Sequence, residues 1–409
     1  MDTQKLFEVA LGIDTPWYIK EVIFSEDNKR LDIYIDFNKG AEFSHEGKDN
    51  LKAYDTKNKT WKHLNFFEHD TYLHARVPRV KIEDKIRLIQ TPWEGIYPGF
   101  TLLYEAMVVS LAKHMPVHTI GKMTKENDNK IWDILNRYVE KVRENEEFSN
   151  VTKIGTDETS RKKGHNYISL FVDLDKKKTI FITEGKDHST VIKFVEDLEK
   201  HGGKAENIKQ VSIDMSPAFI KGFEENIPEA EITFDKFHNI KMMNSAVDKV
   251  RREEAKTMPI LNKSRYVFLK NEKNLKPIEQ KKLEEINLSK LNLKSLRALH
   301  IRESFQEIYK SETKEEFSIL LKKWYFWATH SRLQPIIEFA NTIKRHWDGV
   351  VAWASSRINN GILEGLNSMI QSAKRKARGF RSTKNLIIIS YLVTGDLNFK
   401  SVNKLYNPL

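Results

Sequence analysis

The chain contains no cysteine. That excludes disulfides, thiol nucleophiles and thiolate-bound zinc, and it fits a reducing compartment. No apolar run approaches the roughly 18 residues of a membrane-spanning helix, so no span is expected. The opening stretch Met1-Asp-Thr-Gln-Lys-Leu-Phe7 has neither a basic start nor an apolar core, so no signal peptide is expected. Tandem repeats and low-complexity linkers are missing as well. Acid is in deficit: 68 Lys and Arg face 57 Asp and Glu, for a formal charge of +11. Such an excess favours a polyanionic partner, nucleic acid before an anionic membrane, although a lysine-rich cytosolic protein would share it.

What is present suits a globular protein of two or three domains: 409 residues, 40% hydrophobic and 31% charged. Residues 20–37 read as a hairpin, with Leu31, Ile33 and Ile35 alternating against Asp32, Tyr34 and Asp36. Short β-rich pieces continue to about residue 90. The histidines there (His45, His63, His69 and His74) are scattered, so zinc is not expected. Residues 101–143 change to helical spacing. Three short helices are predicted, the last carrying Ile131, Ile134, Leu135 and Tyr138 on one face and Lys130, Arg137 and Lys141 on the other. They suit either a helix-turn-helix that sets a basic helix in the major groove or a plain helical connector.

Between 151 and 240 strands and helices alternate. The stretch Lys153-Ile-Gly-Thr-Asp157 is predicted to be a strand ending in a carboxylate, followed by the ribbon Asn166–Asp173. Asp173 is expected to face solvent at the opposite end. A strand over 208–214 ends in Asp214, another over 231–235 in Asp235, and a helix runs from His238. Residues 256–345 are helical and rich in Lys and Glu, with Trp324-Tyr-Phe-Trp327 expected in their core. Glu364 follows, bracketed by Gly361 and Gly365, a pairing that suggests close approach of another backbone or of a ligand strand. Carboxylates from three segments, Asp157, Asp214 and Glu364, suit two hard divalent cations, which can clamp both oxygens of a phosphoryl displacement. Beyond them Lys374-Arg-Lys-Ala-Arg378-Gly-Phe-Arg381 puts five basic residues in eight, enough to neutralise several phosphates. A carboxylate pair hydrolysing a glycoside would explain neither this run nor the net charge.

Several stretches together resemble the ISL-three family of bacterial insertion-sequence transposases. They are Gly155-Thr-Asp157-Glu-Thr, Asp214-Met-Ser-Pro217-Ala-Phe, Phe234-Asp235-Lys-Phe-His238, Val250-Arg-Arg-Glu253, Arg357-Ile-Asn-Asn-Gly361-Ile-Leu-Glu364-Gly-Leu-Asn367 and the basic run after it. The resemblance covers nearly the whole chain. It implies a DDE transposase: an α/β (α+β) RNase H-like mixed-sheet domain interrupted by an all-helical insertion, which here fills most of the 150 residues from Asp214 to Glu364. The implied domains are a β-rich one at 1–95, a helix-turn-helix-like one at 96–147, the catalytic domain at 148–255 and 351–409, and the insertion at 256–350.

The resemblance further implies Asp157, Asp214 and Glu364 as catalytic metal ligands, with Asp235 and His238 at the edge of the site. Lys374, Arg375, Lys376, Arg378, Arg381, Arg357, Asn360 and Asn367 are expected on DNA, with Lys130 and Arg137 contributed by the helical domain. Mg²⁺ is the implied cofactor, Mn²⁺ a substitute. The partners are double-stranded DNA, as terminal inverted repeats and as target, and a second copy of the chain bound on it. No membrane is expected, and the expected compartment is the bacterial cytoplasm. In this family the N-terminal region is usually a zinc ribbon. The corresponding positions here are Phe43, Glu46, Ile82 and Lys85, so the family's zinc does not carry over. The alternative is a non-catalytic DNA-binding regulator derived from a transposase.

Overall fold

The computed structural model describes residues 3–162, 166–289, 291–358 and 361–407. It divides into two compact units, Met1–Glu146 with Ile370–Leu409, and Glu147–Met369. Among the described residues no helix is long and apolar enough to cross a membrane.

In the first unit, helix α1 (Thr3–Leu11) precedes the predicted hairpin, β1 (Trp17–Ser25) and β2 (Arg30–Phe37). The alternation in β2 does what a half-buried strand requires: Leu31, Ile33 and Ile35 are buried, while Arg30, Asp32 and Tyr34 point the other way. A small β3 (Glu42–His45) and β4 (Lys48–Lys52) pair lies apart. Strands β5 (Asp55–Lys62), β6 (Asp70–Ile82) and β7 (Lys85–Leu88) complete a five-stranded sheet, in which β2 and β6 run parallel and the other pairs antiparallel. Its core is aromatic. Trp17 meets Trp93 at 5.1 Å and Phe43 at 5.9 Å, and Trp61 is fully buried. Phe43 therefore occupies the core of this sheet domain.

Helices α2 (Leu102–Ala112), α3 (Val117–Thr124) and α4 (Asp128–Arg143) follow. Thr101 caps α2 by accepting from Tyr104 N, and Asn127 caps α4 by accepting from Asn129 N. Ile131, Ile134, Leu135 and Tyr138 of α4 are buried, as their spacing predicts. Beneath them Glu105 is fully buried and accepts hydrogen bonds from Ile96 N, Tyr97 N and Tyr138 Oη.

The second unit is built on β8 (Lys153–Lys162), β9 (Asn166–Asp173), β10 (Lys178–Glu184), β11 (Gln210–Ile213) and β12 (Glu231–Phe234). Their order in the sheet is β10-β9-β8-β11-β12. The first three run antiparallel, and β8, β11 and β12 run parallel. Helices α5 (Ser189–Lys200) and α6 (Pro217–Asn226) connect the last three, and α7 (Lys236–Glu254) follows β12. Phe171 of β9 stacks on Phe194 of α5 at 4.5 Å, an aromatic pair of about 0.5–1.5 kcal/mol beyond its buried area. Asp173 does not face solvent. It is buried, and its Oδ1 accepts from Asp175 N and Lys176 N, closing the turn to β10. A turn that leaves two amides unpaired draws the nearest carboxylate inward.

Then come α8 (Arg265–Leu269), α9 (Pro277–Leu288), α10 (Lys294–Ile308), α11 (Lys314–Thr329), α12 (Gln334–Arg345) and α13 (Trp347–Ser356). The aromatic run of α11 splits. Trp324 is buried, donates its indole N–H to Ile301 O and lies 4.6 Å from Phe305, but Phe326 is 65% exposed and Trp327 44% exposed. Four consecutive residues circle a helix of 3.6 residues per turn, so they cannot all face one core. Helix α14 (Gly361–Lys376) carries Glu364 and the start of the basic run, and α15 (Thr383–Thr394) ends the regular structure. The division between the compact units falls within α14.

Candidate active site

Strand register builds the site. In the parallel pair of β8 and β11, Gly155 lies opposite Ser212, and in that of β11 and β12, Ile213 lies opposite Phe234. Two residues beyond the first pairing stand Asp157 and Asp214. One residue beyond the second stand Asp214 and Asp235. Three aspartates on three neighbouring strands are thus level, just past the carboxyl ends of β11 and β12, where open α/β sheets form their clefts.

Asp157 does not end its strand. β8 continues to Lys162 paired with β9, Asp157 opposite Leu170. What ends near Asp157 is β11, whose pairing with β8 stops at Gly155 and leaves the next residues of β8 bordered on one side only. Asp214 follows β11 directly, and its Oδ1 accepts from Ser216 N at 2.9 Å, a local turn that leads into α6. Asp235 ends no strand either. It is the N-cap of α7, accepting from Phe237 N at 2.9 Å, and that helix begins at Lys236 rather than His238.

Helix α14 is brought onto this row by a glycine. A Cβ on Gly155 would stand 2.7 Å from Leu174 and 3.1 Å from Leu363, so only the absence of a side chain lets the helix lie so close. Four residues of helix rise about 6 Å and two of strand about 6.6 Å, so the contact repeats one step further along. There Asn367 meets Asp157, its Nδ2 donating to Asp157 Oδ2. Asp157 Oδ1 accepts from Glu158 N at 2.7 Å. The carbonyl oxygen of Asn367 is buried and has no hydrogen-bond partner among the described residues. Glu364 lies in the first turn of α14, one helical turn before Asn367. Gly365 beside it faces open space, so no other backbone approaches there.

The carboxylates influence one another. Asp157 is held above the ordinary aspartate range by burial first, then by Asp214 and Asp235, although the bonds from Glu158 and Asn367 pull the other way. Glu158 is pushed up to about 7 by burial and next by Asp214, against the pull of Lys186. Glu364 has a well-exposed surface, yet its carboxyl is raised by the protein packed around it, then by Asp235 and Asp157. Burial is the first cause of each shift, and the neighbouring carboxylates add to it. Among the described residues no three carboxylate or histidine side chains stand close enough to share one ion. The donor chemistry nonetheless fits a divalent cation: hard carboxylate oxygens, with the unpartnered carbonyl of Asn367 as a further oxygen. His238 makes no hydrogen bond to these carboxylates among the described residues.

The residues expected on DNA differ in their surroundings. Arg375 and Arg378 are exposed, while Lys376 donates to His114 O at 3.4 Å. Lys374 and Arg381 are engaged within the protein. Lys130 pairs with Glu126, and Arg137 donates to Ile96 O over the ring of Tyr97. Arg357 donates to Ser311 O and Glu312 O. Asn360 lies outside the described residues. Two features were not anticipated: the engagement of Asn367 with Asp157, and Lys236, which lies over the rings of Tyr309 and Trp353. Their only trace in the sequence is adjacency, Asn367 one helical turn after Glu364 and Lys236 next to Asp235.

Comparison with known proteins identifies the family of the chain. A family profile described as "Transposase" matches residues 154–390, more than half of the chain, and one described as "Helix-turn-helix domain of transposase family ISL3" matches residues 89–139. The chain is similar to the transposase for insertion sequence element IS1557 of Mycobacterium tuberculosis, with 26% identity covering 96% of each chain. It is also similar to the transposase for IS1001 of Bordetella parapertussis, with 27% identity covering 78% of this chain and 80% of that protein. The chain belongs to the ISL3 family of insertion-sequence transposases, with a DDE domain and a helix-turn-helix domain.

Proposed function

We propose that the protein binds the terminal inverted repeats of a bacterial insertion sequence and catalyses DNA strand cleavage and strand transfer, with Asp157, Asp214 and Glu364 as its metal-binding carboxylates. The observation that carries this reading is the level row of Asp157 and Asp214 across adjacent strands, with Glu364 close enough to feel the charge of Asp157. The sheet order, three antiparallel strands followed by two parallel ones, supports an RNase H-like domain at 148–255 and 351–409 around a helical insertion at 256–350.

The carboxylates would hold two Mg²⁺, or Mn²⁺ in their place. The chemistry supplied by such ions, held by these carboxylates, would be activation of a water or a 3′-hydroxyl and stabilisation of the leaving oxygen. The chain's own part is positioning. Asp157 is fixed by two hydrogen bonds and Asp214 by its turn, so neither needs to find its rotamer when DNA arrives. The mutual repulsion of these carboxylates is what ion binding would relieve. Residues 1–95 and 96–147 would read the element's ends, Lys374, Arg375, Lys376, Arg378 and Arg381 would hold the backbone, and a homodimer on DNA would join two ends.

The direct test is Asp214→Asn in a nicking assay on a duplex bearing the element's end. Loss of divalent-dependent nicking with DNA affinity intact is the expected result. Undiminished nicking removes Asp214 from the site. A wild-type chain that binds the duplex but never nicks it favours the DNA-binding regulator instead.

A further inference from the structure

Two cations meet at one indole beside the carboxylate row. Lys236 Nζ lies 5.1 Å from the ring centroid of Trp353 and 5.2 Å from that of Tyr309. Arg357 Cζ lies 5.1 Å from the same Trp353 ring. Both rings are buried, so the cations rest on a fixed aromatic floor. Neither cation has a carboxylate partner among the described residues. Arg357 spends one Nη on the carbonyls of Ser311 and Glu312, which orients its guanidinium and leaves its other N–H groups unused among those residues.

The placement of Lys236 favours an anion. Lys236 opens α7, where the helix dipole opposes a cation and attracts negative charge. Burial and the nearby charge of Arg357 hold its ammonium below the ordinary lysine range, the reverse of what a salt-bridged lysine shows. Lys236 also follows Asp235, the third member of the aspartate row, so an anion bound there would lie next to the reacting centre.

We propose that Lys236 and Arg357 form a seat for one backbone phosphate of the DNA strand at the carboxylate row, with Trp353 as its floor. Arg357 supplies planar donors to the phosphate oxygens, and Lys236 supplies a point charge. The proposal rests on the reading that the carboxylate row acts on DNA, but its test does not use cleavage.

The full-length protein is titrated with an end-bearing duplex in EDTA over a range of salt concentrations. The double variant Lys236→Gln with Arg357→Gln should give a log–log salt slope shallower by about 0.9, one phosphate's share. Replacing the duplex phosphates one at a time with methylphosphonate should reveal one position that weakens the wild type and leaves the double variant unaffected. The charge-retaining pair Lys236→Arg with Arg357→Lys should restore the slope, and thermal melting checks that each variant folds. An unchanged slope in a folded double variant overturns the seat. So does a wild type for which no phosphate near the cleaved bond is sensitive to neutralisation, a result that needs no variant to fold. A wild type with the seat's slope and its sensitive phosphate, but no nicking in Mg²⁺, leaves the seat standing and defeats the cleavage reading alone.

Discussion

Asn367 donates its side-chain amide to Asp157, 210 residues earlier in the chain, while its own carbonyl oxygen is buried without a partner. The bond ties the helix that carries Glu364 to the strand that carries Asp157. Asn367 therefore sets the distance between two of the proposed metal-binding carboxylates.

Asn367→Ala should lower divalent-dependent nicking by about 10- to 100-fold, the usual cost of removing a group that orients a metal-binding carboxylate. DNA affinity in EDTA should stay within about twofold, since the phosphate contacts that dominate binding are untouched. Mn²⁺ binding, followed by its paramagnetic resonance signal, should weaken in parallel. Equal nicking rates would show that Asn367 does not position Asp157.

Gly155→Ala places a methyl group 2.7 Å from Leu174 and 3.1 Å from Leu363. Overpacking of this kind costs about 1–3 kcal/mol. Because Leu363 precedes Glu364, the strain should also reach the site: a lower melting temperature together with a loss of nicking larger than the unfolded fraction explains. Normal nicking in the folded variant would mean that α14 tolerates the shift.

His63 makes the first unit sensitive to acid. Its partly buried ring shares a hydrogen bond with Thr101 Oγ1 at 2.8 Å, and loss of water around it lowers its pKa to about 4. The unfolded chain takes up a proton on this residue below about pH 6.5, and the folded chain only near 4, so the unfolded state binds more protons in between. Stability contributed here is complete above pH 6.5 and is lost as pH falls toward 4, by on the order of 3 kcal/mol. His63→Gln should remove this part of the acid dependence in denaturant titrations. Identical pH profiles for the two proteins would contradict the assignment.

Within the helical insertion, Trp324→Ala should cost about 3–5 kcal/mol, the range for emptying a buried aromatic site. Phe326→Ala, two residues on, should change stability by no more than about 0.5 kcal/mol, since it is largely exposed. Comparable losses in denaturant midpoint would show that the outer face of α11 is covered in solution.

Much of the fold was legible because hydrophobic spacing is local. The hairpin of β1 and β2, the helices α2 to α4 and the helical insertion all follow from residues within a few positions of one another. Element ends were less legible. Asp157 was expected at a strand end because a carboxylate reads as a terminus, but pairing with β9 carries β8 past it. Asp173 was expected in solvent, yet it satisfies the amides of its own turn. The protein itself packs against Gly155 rather than Gly365, whose open space leaves room for a ligand strand, since a glycine's neighbours through space cannot be read from its neighbours in sequence.

The sequence by itself determined the periodicities, the positive charge, the lack of thiols and the motifs that carry the family, because each is a property of residue type and short-range order. Only the tertiary structure decided that Asp157, Asp214 and Asp235 stand level, that Asn367 ties Asp157 to α14, and that Lys236 and Arg357 share an indole. Those relationships depend on strand register and helix placement, which join residues from 21 to 210 positions apart and are set by the packing of whole faces.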